Sequence, residues 1–133
     1  EKANVNLDIE AISITQCNYM RSSWQALEYV KKMGSKRLKI LLDTFHMNIE
    51  ERDFFGCIIN CSEWLRYVHY SDSNRQRPGS GNFDFIGMTR SLRRICFDGF
   101  VGLEYIPSDN ASNELRKTIN YLRAIESFLD EES

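Results

Sequence analysis

Four short β-rich segments alternate with four helical stretches, and this alternation constrains the fold more than any other feature of the chain. The β-rich segments cover residues 5–12, 39–42, 65–70 and 100–106. The first helical stretch starts at Ser22 or Ser23 and has Gly34 as its C-cap. The second covers residues 49–64, the third follows Asp84 and contains residues 86–96, and the fourth covers residues 113–129. The order βαβαβαβα predicts an α/β fold with a parallel sheet and right-handed crossovers.

Each β-rich segment ends in a side chain that can bind a metal ion. In residues 41–51, LLDTFHMNIEE, an apolar run ends abruptly in Asp43, and His46 follows three residues later. The ends of the other three segments carry Glu10, His69 and Glu104. Residues at the carboxyl ends of parallel strands face the active site in barrels and open α/β sheets. Two Glu, one Asp and one His form an oxygen-rich set that suits Mn²⁺, Mg²⁺ or Co²⁺ better than a structural zinc.

These residues resemble the xylose-isomerase-like TIM-barrel family of sugar isomerases and epimerases, and in particular the D-tagatose/D-psicose (allulose) 3-epimerases. Residues 42–51 are similar to the family's signature almost letter for letter, and residues 69–81 are similar to its loop after strand seven. The resemblance covers nearly the whole chain but only the C-terminal half of a family barrel. It implies half of a (β/α)₈ TIM barrel, with four βα units equivalent to β5-α5 through β8-α8 and with residues 1–133 as a single domain.

The resemblance also implies a role for each matching residue. Glu10, Asp43, His69 and Glu104 would bind one divalent cation, with Mn²⁺ expected first and Co²⁺ or Mg²⁺ as alternatives. Glu10 and Glu104 would be the catalytic carboxylates. His46 and Arg75 match positions that contact the sugar oxygens near C1 to C3. The chain departs from the family at Gln16, where the family has a substrate-contacting glutamate, and around it at Ser13-Ile14-Thr15.

The activity implied is the metal-dependent epimerisation of a ketose at C3 through a cis-enediolate. The enzyme must remove a weakly acidic proton beside a carbonyl and return one to the opposite face. Two flanking carboxylates can do this while a divalent ion stabilises the developing charge. Two alternatives stay open: another sugar isomerase or a polyol dehydratase on the same scaffold, and a non-catalytic half-barrel module.

The length of the chain bears on its partners. A complete barrel of this kind has about 250 residues, whereas this chain has 133. We therefore expect either a fragment of a full barrel or a half-barrel that pairs with the missing half or with a second copy. An isolated half would expose two sheet edges and an apolar interior face, which favours association.

The composition of the chain argues against nucleic acid and membrane as partners. A net charge of −2 and a pI near 5.7 give no basic footprint for nucleic acid. No apolar run approaches the roughly 20 residues that span a bilayer, and no signal peptide is recognisable. We expect a cytoplasmic protein with a small-molecule sugar substrate.

Cys57 and Cys61 lie one helical turn apart and are interpreted as buried reduced thiols. A zinc site that these two cysteines form with a histidine is the rarer alternative.

Overall fold

The computed structural model describes residues 4–108 and 110–132. In chain order, their elements are β1 (Leu7–Glu10), α1 (Ser23–Met33), β2 (Leu38–Asp43), α2 (Thr44–Glu50), α3 (Phe54–Cys61), β3 (Leu65–Tyr70), α4 (Phe85–Arg94), β4 (Phe100–Leu103) and α5 (Ala111–Glu131). The sheet order is β1-β2-β3-β4 and every neighbouring pair is parallel. Strands that neighbour one another in chain order, each followed by a helix, form successive βα units, as they do in a barrel. The predicted α/β half-barrel is confirmed.

The sheet has one buried face and one half-exposed face. Along β2, Leu38, Ile40 and Leu42 are buried while Lys39 and Leu41 are only partly buried, as the two-residue period of a strand requires. The buried face packs against the helices in one core that includes Ile40, Leu42, Val68, Ala26, Val30, Ile58, Met88, Leu92 and Ile125. On the other face the strand register places Asp43 beside His69. The alternation that builds the core therefore directs the polar strand-end residues away from it.

The prediction of one helix over residues 49–64 is wrong, because helix α2 ends at Glu50 and a separate helix, α3, begins at Phe54. Two carboxylates explain the break. Glu51 turns away and accepts a hydrogen bond at 2.6 Å from the backbone N–H of Ser23, a donor that the first turn of α1 leaves free. Asp53 then caps α3 by accepting from the N–H of Gly56 at 2.9 Å. Helix α2 starts earlier than predicted, at Thr44, because Asp43 is its N-cap.

The other predicted bounds differ by a few residues. Helix α1 has the expected ends: Ser22 and Gln25 form a capping box, and Gly34 takes a left-handed φ of 61° after the last turn. Asn110 caps α5, so that helix starts at Ala111 rather than at residue 113. Strand β4 ends at Leu103 rather than at residue 106, since the N–H of Ile106 donates to the carbonyl of Arg75 in the loop after β3.

Apolar side chains on and beside the two outer strands are uncovered. Val5 and Leu7 on one side are each 65% exposed, and Phe100 and Ile106 on the other are 60% and 67% exposed. Each outer strand also has one edge that pairs with no strand among the described residues. A barrel has no such edges. In the described part of the chain, no helix is both long enough and apolar enough to cross a membrane.

Candidate metal centre

Glu10, Asp43, His69 and Glu104 converge at the carboxyl ends of the four strands. Glu10 ends β1, Asp43 ends β2, His69 lies one residue before the end of β3, and Glu104 follows β4. One ligand atom from each lies within 4.8 Å of the others. Oxygen ligands lie about 2.0–2.6 Å from Mg²⁺ or Ca²⁺, so two ligands of one ion are at most roughly 4–5 Å apart. The cluster therefore has the dimensions of a single-ion site.

His69 provides the test of whether these residues fit a cation. Its Nδ1 lies 2.6 Å from Oε2 of Glu104 and 3.8 Å from carboxylate oxygens of both Glu10 and Asp43. The short approach to Glu104 lacks the angles of a hydrogen bond. Among the described residues, Nδ1 is the single buried side-chain nitrogen or oxygen with no hydrogen-bond partner. A buried imidazole nitrogen that faces three carboxylates and makes no hydrogen bond has the donor set of a divalent metal ligand.

Asp43 is the most buried member, with a side chain that is 0% exposed. Its Oδ1 accepts hydrogen bonds from the backbone N–H groups of Phe45 and His46 at 2.8 and 3.4 Å, which caps α2. Its Oδ2 faces the cluster. The sequence Asp43-Thr44-Phe45-His46 thus fixes one carboxylate oxygen with the start of a helix and directs the other toward the site.

Burial and neighbouring carboxylates act together on Glu10. Burial raises the pKa of Glu10 above its ordinary value, and the nearby charges of Asp43 and Glu104 raise it further, while His69 and Arg75 lower it. A carboxylate with a raised pKa is a stronger base once it is ionised. Perturbed groups of this kind are concentrated at functional sites.

Arg75 reaches the cluster from the loop after β3. Its Nη1 donates to Oδ2 of Asp43 at 2.6 Å, and its Nη2 lies 3.1 Å from Oε2 of Glu104. Its guanidinium carbon lies 5.0 Å from the ring centroid of Phe45, within cation–π range. The backbone of Arg75 has a φ of 61°, a conformation that costs a non-glycine residue energy and is often found at functional sites.

The loop that presents Arg75 is built around Asp72, which sequence reasoning missed. Asp72 is 1% exposed. Its two oxygens accept from the backbone N–H groups of Ser73, Gly79, Ser80 and Phe83 at 2.7, 2.8, 3.1 and 3.0 Å. Burial opposes ionisation, but the backbone donors outweigh it and lower the pKa of Asp72. A Cβ on Gly81 would lie 2.4 Å from this carboxylate, so the loop closes tightly on it.

His46 lies behind the cluster and is 2% exposed. Its Nδ1 makes a 2.9 Å hydrogen bond with Oγ of Ser13, a residue that is 0% exposed. Burial lowers the pKa of His46 to about 4, and the positive charge of Arg75 adds to this effect. The imidazole is therefore neutral at physiological pH.

Gln16 is the one predicted site residue that the structure does not join to the cluster. Its side chain is exposed, and no hydrogen bond or ion pair connects it to the other site residues in the described ranges. Its backbone N–H donates to the carbonyl of Ser13 at 3.0 Å, in a turn that Glu50 also holds by accepting from the N–H of Ile14 at 2.6 Å. Gln16 lies on the β1-α1 loop, and its predicted contact with substrate stays a prediction.

The cysteines form no second metal centre in residues 4–108 and 110–132, where the four-residue cluster is the one group of metal-ligand side chains found. Cys57 donates its S–H to Glu51 at 3.1 Å. Burial raises the pKa of both Cys57 and Cys61 to about 12. Thiols with so high a pKa are poor ligands and poor nucleophiles at neutral pH. The interpretation of Cys57 and Cys61 as buried reduced thiols is therefore favoured.

Comparison with known proteins agrees with this geometry. A family profile described as a xylose isomerase-like TIM barrel matches residues 1–125. The chain belongs to this family. It is 36% identical over 119 residues to a ketose 3-epimerase of Arthrobacter globiformis, covering 90% of this chain and 41% of that protein.

Two solved structures are similar to the chain. The apo form of 3-keto-D-glucoside 4-epimerase from E. coli has a TM-score of 0.88 and 26% identity, over 92% of this chain and 47% of that one. A D-psicose 3-epimerase from Clostridium cellulolyticum H10 has a TM-score of 0.83 and 23% identity, over 93% and 50%. The chain spans about half the length of these proteins or less. The family resemblance and the half-barrel are confirmed, and the relatives are sugar epimerases.

Proposed function

We propose that this chain supplies the metal centre and both catalytic carboxylates of a divalent-metal-dependent ketose 3-epimerase. The observation that carries the proposal is the convergence of Glu10, Asp43, His69 and Glu104 within 4.8 Å at the ends of four consecutive strands. The carboxyl end of barrel strands is where the active site of a TIM-barrel enzyme lies. The residue set favours Mn²⁺, with Co²⁺ or Mg²⁺ as alternatives.

Glu10 ends the first of the four strands and Glu104 follows the last, so they approach the cluster from its two sides. One carboxylate takes the proton from C3 of the ketose. The electron pair of the C3–H bond then forms the C2–C3 double bond, and the π pair of the C2 carbonyl moves onto its oxygen to give a cis-enediolate. The other carboxyl group gives a proton to the opposite face of C3, and the electron pair on the C2 oxygen re-forms the carbonyl. A divalent cation, when bound, supplies Lewis-acid stabilisation of the developing negative charge.

His46 and Arg75 hold the sugar in the proposed site. The neutral imidazole offers one nitrogen to a sugar oxygen, because Ser13 occupies the other. Arg75 carries a fixed positive charge and several donors, and Asp43 and Phe45 restrict the orientation of its guanidinium. These two side chains orient the substrate while the carboxylates move the proton.

The rest of the active site comes from another half-barrel. The uncovered side chains of Leu7 and Phe100 and the free edges of β1 and β4 favour association with such a half. We propose that residues 1–133 act as one half-barrel domain equivalent to β5-α5 through β8-α8. Its partner is the first half of the barrel or a second copy of the chain. A small-molecule sugar substrate and a cytoplasmic location belong to the same proposal.

The test is a chimeric barrel in which the first half of the Arthrobacter globiformis ketose 3-epimerase precedes this chain. The chimera is incubated with Mn²⁺ and D-fructose, D-psicose or D-tagatose in deuterium oxide, and NMR follows deuterium at C3. We expect C3 exchange and epimerisation that EDTA abolishes. Glu104→Gln should abolish epimerisation while Mn²⁺ binding persists, because the remaining carboxylate can exchange the proton on its own face of C3 but cannot invert the carbon. Epimerisation that survives Glu104→Gln would refute the two-carboxylate mechanism. The first half alone is the control for activity carried by the relative.

A second candidate is epimerisation at a different carbon. Gln16 departs from the family glutamate, and the E. coli structure similar to this chain is that of a 4-epimerase. The same NMR experiment distinguishes the two once a 3-keto-D-glucoside is added to the substrates, because its C4 proton, unlike that of a 2-ketose, lies beside the carbonyl. Deuterium then appears at the carbon whose proton is removed. A chimera that binds Mn²⁺ and exchanges no sugar proton would favour the non-catalytic half-barrel module.

A further inference from the structure

His46 is held by a short chain of hydroxyl groups that belongs to the β1-α1 loop. Oγ of Ser13 lies 2.9 Å from Nδ1 of His46 and 2.8 Å from Oγ1 of Thr15. Ser13 is fully buried while Thr15 is exposed, so the chain runs from solvent to the imidazole. The position of this loop depends on Glu50, which accepts from the N–H of Ile14 at 2.6 Å.

The second ring nitrogen of His46 is free for a ligand. No hydrogen bond among the described residues involves Nε2, and Nε2 is not a buried atom without a partner, since His69 Nδ1 is the single such atom there. Nε2 therefore keeps contact with solvent although the residue as a whole is 2% exposed. The ring sits edge-on to Phe45 at 5.3 Å, next to the stacked Arg75.

We propose that Ser13 and Thr15 fix the tautomer and orientation of His46, with Thr15 donating to Ser13, Ser13 donating to Nδ1, and Nε2–H left to donate to a sugar oxygen. That a sugar oxygen accepts this hydrogen bond rests on the proposed function. The hydrogen bond at one ring nitrogen sets which nitrogen carries the proton. Ser13 has one hydroxyl proton and two acceptor lone pairs. Nδ1 therefore either accepts that proton, which leaves Nε2–H, or is itself protonated and donates to Oγ of Ser13, which is the reverse direction at the imidazole.

The proposed direction suits the chemistry of an enediolate. Its oxygens are negatively charged and act as acceptors, so a neutral histidine stabilises them only through an N–H. The reverse direction would present the lone pair of Nε2 and repel the same oxygens. Ser13 and Thr15 are thus positioning residues that act through His46, and they lie among the residues where this chain departs from the family pattern.

The test is an ¹⁵N NMR spectrum of the 133-residue chain labelled at histidine, recorded at about pH 8, above the ordinary histidine pKa of about 6.5. The chain has two histidines, and loss of one set of signals in His46→Asn assigns His46. We expect a protonated Nε2 and a bare, hydrogen-bonded Nδ1. Ser13→Ala should give a mixture of tautomers. The near-isosteric Thr15→Val should keep Nε2 protonated, because Nδ1 is then the remaining acceptor for the hydroxyl of the buried Ser13.

The matched control is Ser91→Ala, which removes a buried hydroxyl that donates to the Gly87 carbonyl in α4 at 2.9 Å. It should leave the His46 signals unchanged. In the chimeric barrel, Ser13→Ala should lower kcat/KM by roughly ten-fold, the value of one lost hydrogen bond, with Mn²⁺ affinity unchanged. A wild-type Nδ1–H tautomer, or a tautomer that survives Ser13→Ala, overturns the proposal. If the expected tautomer is found but the wild-type chimera exchanges no sugar proton, the proposed function fails and the role of Ser13 stands.

Discussion

Replacement of Asp72 by asparagine tests whether the loop after β3 is a rigid support for Arg75. The change keeps the size of the side chain but replaces one acceptor oxygen with an NH₂ group. In the native loop each carboxylate oxygen accepts from two backbone N–H groups, Ser73 and Phe83 on one and Gly79 and Ser80 on the other. Whichever way the amide turns, two N–H donors then face another donor.

The magnitude follows from those two donors. A buried donor left without a partner costs about 1–3 kcal/mol, and the loop can admit water, so we expect a loss of about 2–4 kcal/mol in the free energy of unfolding. Burial opposes the ionisation of Asp72, yet the backbone donors lower its pKa below the ordinary value of 3.8. Its contribution to stability is therefore complete above that value and disappears as the pH falls through the lower, native pKa.

Urea denaturation of the wild-type chain and of Asp72→Asn at a series of pH values measures both effects. The difference should be largest near neutral pH and should shrink below about pH 4. Asp84→Asn is the control, because Asp84 is an exposed helix cap that accepts from one N–H, that of Gly87 at 2.8 Å, and asparagine caps equally well. Equal stability of Asp72→Asn and wild type at neutral pH would refute the reasoning, as would a difference that does not change with pH.

Three further predictions concern the site. His69→Ala should weaken Mn²⁺ binding, measured by EPR titration, by more than about 100-fold. Loss of a ligand should cost more than the roughly 10–100-fold that is lost when a residue supporting a ligand is removed. Unchanged affinity would mean that His69 does not bind the metal. Phe45→Leu should lower kcat/KM of the chimera about 2–5-fold, because a cation–π contact at a partly exposed site contributes about 0.5–1 kcal/mol, and no change would mean that Arg75 is positioned without the ring. Gln16→Glu should shift activity in the exchange assay toward the free ketoses of the family, and an unchanged substrate profile would place specificity elsewhere.

The strand ends could be predicted from sequence because they depend on local periodicity. Apolar runs that stop at Asp43 and before Glu104 indicate strands, and parallel crossovers bring the carboxyl ends of successive strands to one edge. The convergence of Glu10, Asp43, His69 and Glu104 needs no further information. It is accordingly the feature on which sequence reasoning and the structure agree in most detail.

Contacts between loops could not be predicted in the same way. The Ser13–His46 hydrogen bond joins residues 33 positions apart, and no periodic pattern encodes such a pair. Asp72 was visible only as one polar residue in a polar stretch, although an aspartate after a strand and before Gly79 and Gly81 is typical of a side chain that organises a turn. The break between α2 and α3 was missed for the same reason, because it depends on Glu51 reaching Ser23 in another helix.

Exposure varies across the four strand-end residues of the cluster in a way that bears on how activity should be tested. The side chain of Asp43, on an inner strand, is 0% exposed, whereas that of Glu104, beside the free edge of β4, is 49% exposed. A carboxylate bound to a metal is a weak base unless the site excludes water, because solvent screens the charges that shift its pKa. In the proposed mechanism, the exposed edge is therefore expected to weaken proton transfer more than the arrangement of the ligands. Metal binding without exchange by the isolated chain would be compatible with the proposed function, and only the completed barrel decides between an epimerase and a non-catalytic module.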